Sequence, residues 1–145
     1  MTEFVNPARV YSRQQVLSRP SPVPSAGGVY GWWFGRLPPL VIADHCRRHD
    51  GLALLYVGIS PSQPPRNGRG PSSQNLSTRL QAHYARNAEG STLRKILGCL
   101  LADDLGIQLR RVGSGKRMTF VEGEQALSAW MGENALVSWI VRDRP

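Results

Sequence analysis

The run LALLYVGI at residues 52–59, set between Gly51 and Pro61, narrows the folding choices more than any other feature of this chain. A bilayer span needs about 18 or more consecutive apolar residues, so this segment is too short to cross a membrane. It predicts a β-strand, and because both faces are apolar, a central one. Aromatic enrichment predicts a second strand over residues 28–34, GVYGWWF, with Pro38 and Pro39 beyond it. Residues 136–141, LVSWIV, predict another. Asn75 is placed to cap a helix over residues 76–87, whose apolar stripe is Leu76, Leu80 and Tyr84. Ser91 is placed to cap a second helix over residues 92–105, burying Leu93, Ile96, Leu97, Leu100 and Leu101 and stopping at Gly106. Residues 107–112 and 117–121 read as short strands around GSGK, and residues 122–131 as a third helix. Residues 41–49 form either a short helix or an irregular excursion.

These elements imply an α/β fold: a small, mainly antiparallel three-stranded central sheet flanked by helices. At 145 residues a single hydrophobic core is expected. Residues 1–26, with Pro20, Pro22 and Pro24, read as a flexible or loosely packed lead-in to a domain at 27–145. Val10, Tyr11 and Val16 are apolar enough to pack back on it.

The charge balance points to an anionic partner. The formal net charge is +8, and sixteen of the 18 basic side chains are Arg, Lys95 and Lys116 being the exceptions. The planar guanidinium fork suits phosphate, which favours nucleic acid first. Residues 60–74 carry Arg66 and Arg69 with no acidic residue, and Arg110, Arg111, Lys116 and Arg117 form a second basic cluster. With Arg86 and Arg94 these are the candidate backbone contacts, which position a duplex without reading its sequence. Trp32 and Trp33 alternate in a strand, leaving one to the core and one free to stack on a base.

Other classes are set aside. No apolar leader is present at the N-terminus, and Cys46 and Cys99 make no disulfide framework, so a reducing cytoplasm is the simplest setting. GSGK is not a nucleotide loop, since Arg117 follows Lys116 and Arg110 stands at the required first Gly. His45 and His49 have no carboxylate between them and read as a surface pair rather than metal ligands.

One ordered constellation remains: Gly28-Val29-Tyr30, then Tyr56-Val57-Gly58, then Arg79 with His83 one turn on. In this order it resembles the GIY-YIG nuclease domain over roughly residues 27–145. GSTLRKILGCLLADDLG and EQALSAWMGENALVSW are similar to segments of one branch of small bacterial members. The resemblance implies that Tyr30, Tyr56, Arg79 and His83 are catalytic: Tyr30 the candidate general base, Tyr56 a hydrogen-bonding partner near the nucleophile or the phosphate, and His83 either orienting water, exchanging a proton with Tyr30 or contacting DNA. The residue types suit phosphodiester cleavage. Arg79 can hold a phosphate bidentately while its charge grows, and a tyrosine needs nearby positive charge to accept a proton.

The resemblance also implies one Mg²⁺ or Mn²⁺ held by a glutamate on a helix after the last sheet strand. No such glutamate follows LVSWIV here, and Glu124, which precedes that strand, is the one weak substitute as metal ligand. The expectation is therefore a domain lacking its C-terminal part: a DNA endonuclease in full-length form, with these 145 residues weak or inactive. The alternative is a basic nucleic-acid-binding module without catalysis.

Overall fold

The computed structural model describes residues 6–61 and 74–142. Along the chain the elements are α1 (Arg13–Leu17), β1 (Gly28–Phe34), β2 (Arg48–His49), β3 (Leu52–Ser60), α2 (Leu76–Ala85), α3 (Thr92–Leu100), α4 (Ala102–Leu105), β4 (Arg110–Arg111), β5 (Met118–Thr119), α5 (Gly123–Asn134) and β6 (Ala135–Val141). All three apolar runs become strands. They form an antiparallel β3-β1-β6 core, extended by the short β2 into a sheet of order β2-β3-β1-β6. Helices pack on one face, as expected for the small α/β architecture. Among the described residues no helix is long and apolar enough to cross a membrane.

β3 lies between β2 and β1, the interior place expected for residues 52–59, while the aromatic strand β1 is the one paired along its whole length on both sides. β2 pairs only with Leu52 and Ala53, so most of β3 has its outer edge open among the described residues. Val57 and Ile59 are 51% and 46% exposed on the sheet face away from the helices. Hydropathy alone does not say whether a second apolar face is covered.

Alternation along β1 sorts its side chains between the two faces. Trp32 meets Tyr84 edge-on, with ring centroids 4.6 Å apart, and Phe34 packs with Trp130. On the other face Trp33 meets His49, and its indole N–H donates to Ser138 Oγ at 2.9 Å. Both tryptophans are fully buried, so neither is free to stack on a base. A bulge between Trp32 and Trp33 shifts the β1–β3 register: Trp32 faces Tyr56, whereas Trp33 faces Leu54.

α2 is held where its sequence predicts. Asn75 and Thr78 form a reciprocal capping box, and the Leu76 N–H donates to the Ala26 carbonyl at 2.9 Å. Leu76, Leu80 and Tyr84 are fully buried, each leucine contributing roughly 1.5–3 kcal/mol of transfer free energy. The Tyr84 hydroxyl donates to the Ala135 carbonyl at 2.6 Å, tying α2 to the start of β6.

Three details go beyond what the local pattern states. The helix at residues 92–105 divides at Leu101, and Ile96 is 49% exposed because the Leu93, Leu97, Leu101 stripe already fills the contact. The excursion at residues 41–49 is turns followed by β2, and His49 pairs with Asp50 rather than stacking with His45. The lead-in, described from residue 6, packs on the body: Val16 and Val23 are buried, Tyr11 exchanges backbone hydrogen bonds with Val137, and its ring stacks on Trp139.

Candidate active site

Tyr30 and Tyr56 share the helix-facing side of adjacent strands. Tyr30 pairs with Gly58 and Trp32 with Tyr56 across β1 and β3. The glycine at position 58 is a steric requirement, because a Cβ there would overlap the Tyr30 ring and hydroxyl. Substitution Gly58→Ala is therefore expected to push the Tyr30 ring aside and break its 3.0 Å contact with His83. Ring chemical shifts of Tyr30 and His83 in the variant check this; shifts equal to the parent's would exclude the displacement.

α2 supplies the other half. Arg79 and His83 are one turn apart, so their side chains lie on the same edge of the helix. His83 Nε2 lies 3.0 Å from Tyr30 Oη, and Arg79 Nε–H donates to the same nitrogen at 3.3 Å. A second Arg79 donor reaches the Gly90 carbonyl at 2.9 Å. The Tyr56 ring stands edge-on to the imidazole at 6.1 Å between centroids, and Trp32 does so at 5.7 Å. His83 Nδ1 is 2.6 Å from Ser91 Oγ. Two strand tyrosines, a guanidinium and an imidazole thus converge on one space, with Arg79 and Tyr56 part-exposed and Tyr30 and His83 buried.

The electrostatics of the cluster follow from burial and cations. Burial pushes the Tyr30 hydroxyl above its ordinary value of 10.0, Arg79 pulls it back, and Tyr56 adds to the rise. Burial, then Arg79, then Arg94 bring His83 from 6.5 down to about 3. His83 is accordingly neutral in the folded protein near neutral pH. Below 6.5 the unfolded chain takes up a proton that the folded chain refuses until about pH 3, so stability falls over that interval as pH drops. The His83 contribution is expected to be about 2 kcal/mol lower at pH 5 than at pH 7. Urea unfolding of the parent and His83→Phe at both values checks it; equal slopes would exclude the effect.

Arg94 is not a nucleic-acid contact. It is fully buried, and its guanidinium donates to the carbonyls of His83 and Tyr84, to Ser128 Oγ and to Glu124. The Arg94–Glu124 pair closes at 2.9 Å. Glu124 in turn accepts the Ala88 and Phe120 N–H groups through its other oxygen. Both carboxylate oxygens are engaged, which removes Glu124 as a metal ligand in this arrangement. The helical spacing of Arg94 gives no sign of this role, because an arginine among leucines is read as solvated.

The remaining basic candidates divide. Arg110, Arg111, Lys116 and Arg117 are exposed on the β4–β5 hairpin, which is joined to the Arg79 side of the molecule where the Met118 N–H donates to Glu89 at 3.1 Å. Arg86 is exposed but lies in a cleft with Arg19, Ser18 and Ser77, away from the cluster. Arg66 and Arg69 lie outside the described residues. Among the described residues no group of three or more His, Cys, Asp or Glu is arranged to hold a metal ion. The cluster's own donors are two phenols, an imidazole and a cation, a set that does not fit a divalent ion.

Sequence reasoning passed over the partner of His83. Ser91 was legible only as a helix cap, and its contact with a histidine eight positions earlier depends on how α3 folds back on α2.

Compared with known protein families, residues 28–145 match the one described as the GIY-YIG catalytic domain. Neither the curated proteins nor the solved structures contain a match to the chain.

Proposed function

The chain belongs to the GIY-YIG catalytic domain family, and on that footing we propose that its cluster binds and hydrolyses a DNA phosphodiester. The observation that carries this reading is the shared nitrogen: Tyr30 Oη and Arg79 Nε both meet His83 Nε2, at 3.0 and 3.3 Å. Tyr30 then accepts a proton from the attacking water while its own moves toward His83. Arg79 meets the charge that builds on the phosphate oxygens. Burial and the two arginines oppose proton uptake by His83. A phosphate facing Arg79 offsets one of those cations, so the relay is poised to work when substrate is present. The basic hairpin supplies backbone contacts whose binding weakens with salt.

In the family a divalent cation polarises the phosphate and stabilises the leaving oxygen. The described residues of this chain do not fit one, and no step here is routed through it. That disagreement favours a second reading, a nucleic-acid-binding module in which the cluster holds phosphate without cleaving it.

The two readings separate on Tyr30→Phe, assayed for nicking of supercoiled plasmid with added Mg²⁺ or Mn²⁺ and for duplex binding by fluorescence anisotropy. Hydrolysis predicts nicking in the parent, a loss of at least about 10²-fold in the variant, and unchanged binding. Absence of nicking in the parent, with salt-sensitive binding intact, supports the binding module. Nicking that Tyr30→Phe leaves untouched overturns the assignment of the site.

A further inference from the structure

The imidazole at the centre of the cluster is held from both sides, and one side has no role in the reading above. His83 Nδ1 meets Ser91 Oγ at 2.6 Å, and both residues are about 1% exposed. Ser91 is the N-cap of α3, where its oxygen also accepts the Arg94 N–H at 3.1 Å. The shorter of its two contacts goes to the imidazole, not to the helix it caps.

The hydrogen-bond pattern fixes which ring nitrogen carries the proton. A guanidinium only donates, so the Arg79 Nε–H bond requires a lone pair on His83 Nε2. A neutral imidazole with a bare Nε2 has its proton on Nδ1, and that N–H donates to Ser91 Oγ. The opposite tautomer would set two N–H groups against each other at Nε2. The same turn of α3 also holds the backbone of His83, since the Arg94 guanidinium donates to its carbonyl at 3.1 Å. Ring and main chain of one residue are thus anchored by neighbouring positions of a helix that contributes nothing else to the cluster.

We propose that Ser91 is a positioning residue: its hydroxyl oxygen keeps the His83 proton on Nδ1, so that Nε2 stays an acceptor aimed at the Tyr30 hydroxyl. The proposal rests on the hydrolytic reading for its consequence, but not for its geometry. Without the Ser91 oxygen the ring loses the bond that selects this tautomer, and Tyr30 loses a fixed destination for its proton. No group is consumed; Ser91 acts through His83 alone.

The test begins with nuclear magnetic resonance of the ¹⁵N-labelled protein, which holds only three histidines. The long-range ¹H–¹⁵N pattern of His83 reports its tautomer directly. Ser91→Gly removes the hydroxyl while preserving the helix start, because glycine serves an N-cap nearly as well as serine. Ser91→Ala is the companion variant, and Ser91→Thr restores a hydroxyl. The parent is expected to show the Nδ1–H form, Ser91→Gly and Ser91→Ala a shift toward Nε2–H, and Ser91→Thr a return. An Nε2–H parent, or a pattern unmoved by loss of the hydroxyl, overturns the proposal.

Cleavage supplies the second readout. Ser91→Gly is expected to lower kcat about 10-fold with KM little changed, Ser91→Thr to restore it, and Ser91→Gly to add nothing in a His83→Phe background. An equal further loss in that background means a structural role and overturns the proposal. If the parent cleaves nothing, the hydrolytic reading fails, and the tautomer measurement still decides the placement of Ser91.

Discussion

Arg79→Ala is expected to lower DNA cleavage by about 10²–10³-fold, corresponding to roughly 3–4 kcal/mol of transition-state stabilisation, while duplex affinity falls far less. Arg79 is the part-exposed cation of the cluster, and its guanidinium is steered by bonds to the Gly90 carbonyl and to His83 Nε2. The remaining donors of the fork are left for an anion. A phosphate gains charge as water attacks, so the bond it makes there strengthens along the reaction rather than on binding alone. Arg79→Lys should recover little, because an ammonium has no planar fork and cannot bond His83, Gly90 and phosphate together. Single-turnover cleavage with saturating protein, beside anisotropy for binding, separates the two steps. A rate equal to the parent's would remove Arg79 from the reaction. Removing this cation should also let the His83 pKa rise, since Arg79 is one of the charges that depress it.

The largest loss of stability is expected at Arg94. Arg94→Met keeps apolar volume but leaves Glu124 without its cation, at a side-chain exposure of 14%. Breaking such a pair from one side costs about 3–5 kcal/mol, because one charge stays behind in a poorly solvated place. For a chain of this size that is a fall in Tm of roughly 10 °C or more. The carbonyls of His83 and Tyr84 lose a donor as well, so the C-terminal end of α2 should loosen. The double variant Arg94→Met with Glu124→Gln should recover part of the loss, since the stranded charge is gone. Denaturant unfolding of both variants measures this. A double variant no more stable than the single one would mean that the carbonyl bonds, not the ion pair, dominate.

How much of this was legible in the chain depended on whether local pattern or tertiary contact decides it. The strands at Gly28–Phe34, Leu52–Ser60 and Ala135–Val141 follow from aromatic and apolar runs bounded by Gly and Pro, and the Asn75 cap follows from residue type. Arg79 and His83 meet because helical spacing alone puts them on one edge. Their convergence with Tyr30 and Tyr56 needed the β1–β3 register, which no local pattern states; the ordered family resemblance pointed to it. Arg94 and Glu124 misled for the same reason. Nothing at either position shows that two ionisable groups far apart in the chain will be buried against each other. Ser91 was recognised for what it does to its own helix and not for what it does to a neighbour.

The bulge between Trp32 and Trp33 has a bearing on how this fold can vary in length. Leu55 is the unpaired residue that lets Leu54 and Tyr56 turn to opposite sides of the sheet. Deleting that one position would leave Leu54 and Tyr56 adjacent and so still on opposite sides, and the bulge would close with Tyr56 opposite Trp32 and Gly58 opposite Tyr30. Deleting Val57 instead would set Tyr56 and Gly58 on opposite sides and drag one of those pairings out of step. Insertions in the turns at residues 36–46, by contrast, join strands whose alignment is already set by their own side chains. Shortening or lengthening that connection is a neutral edit, whereas a single codon lost between Tyr56 and Gly58 disassembles the constellation.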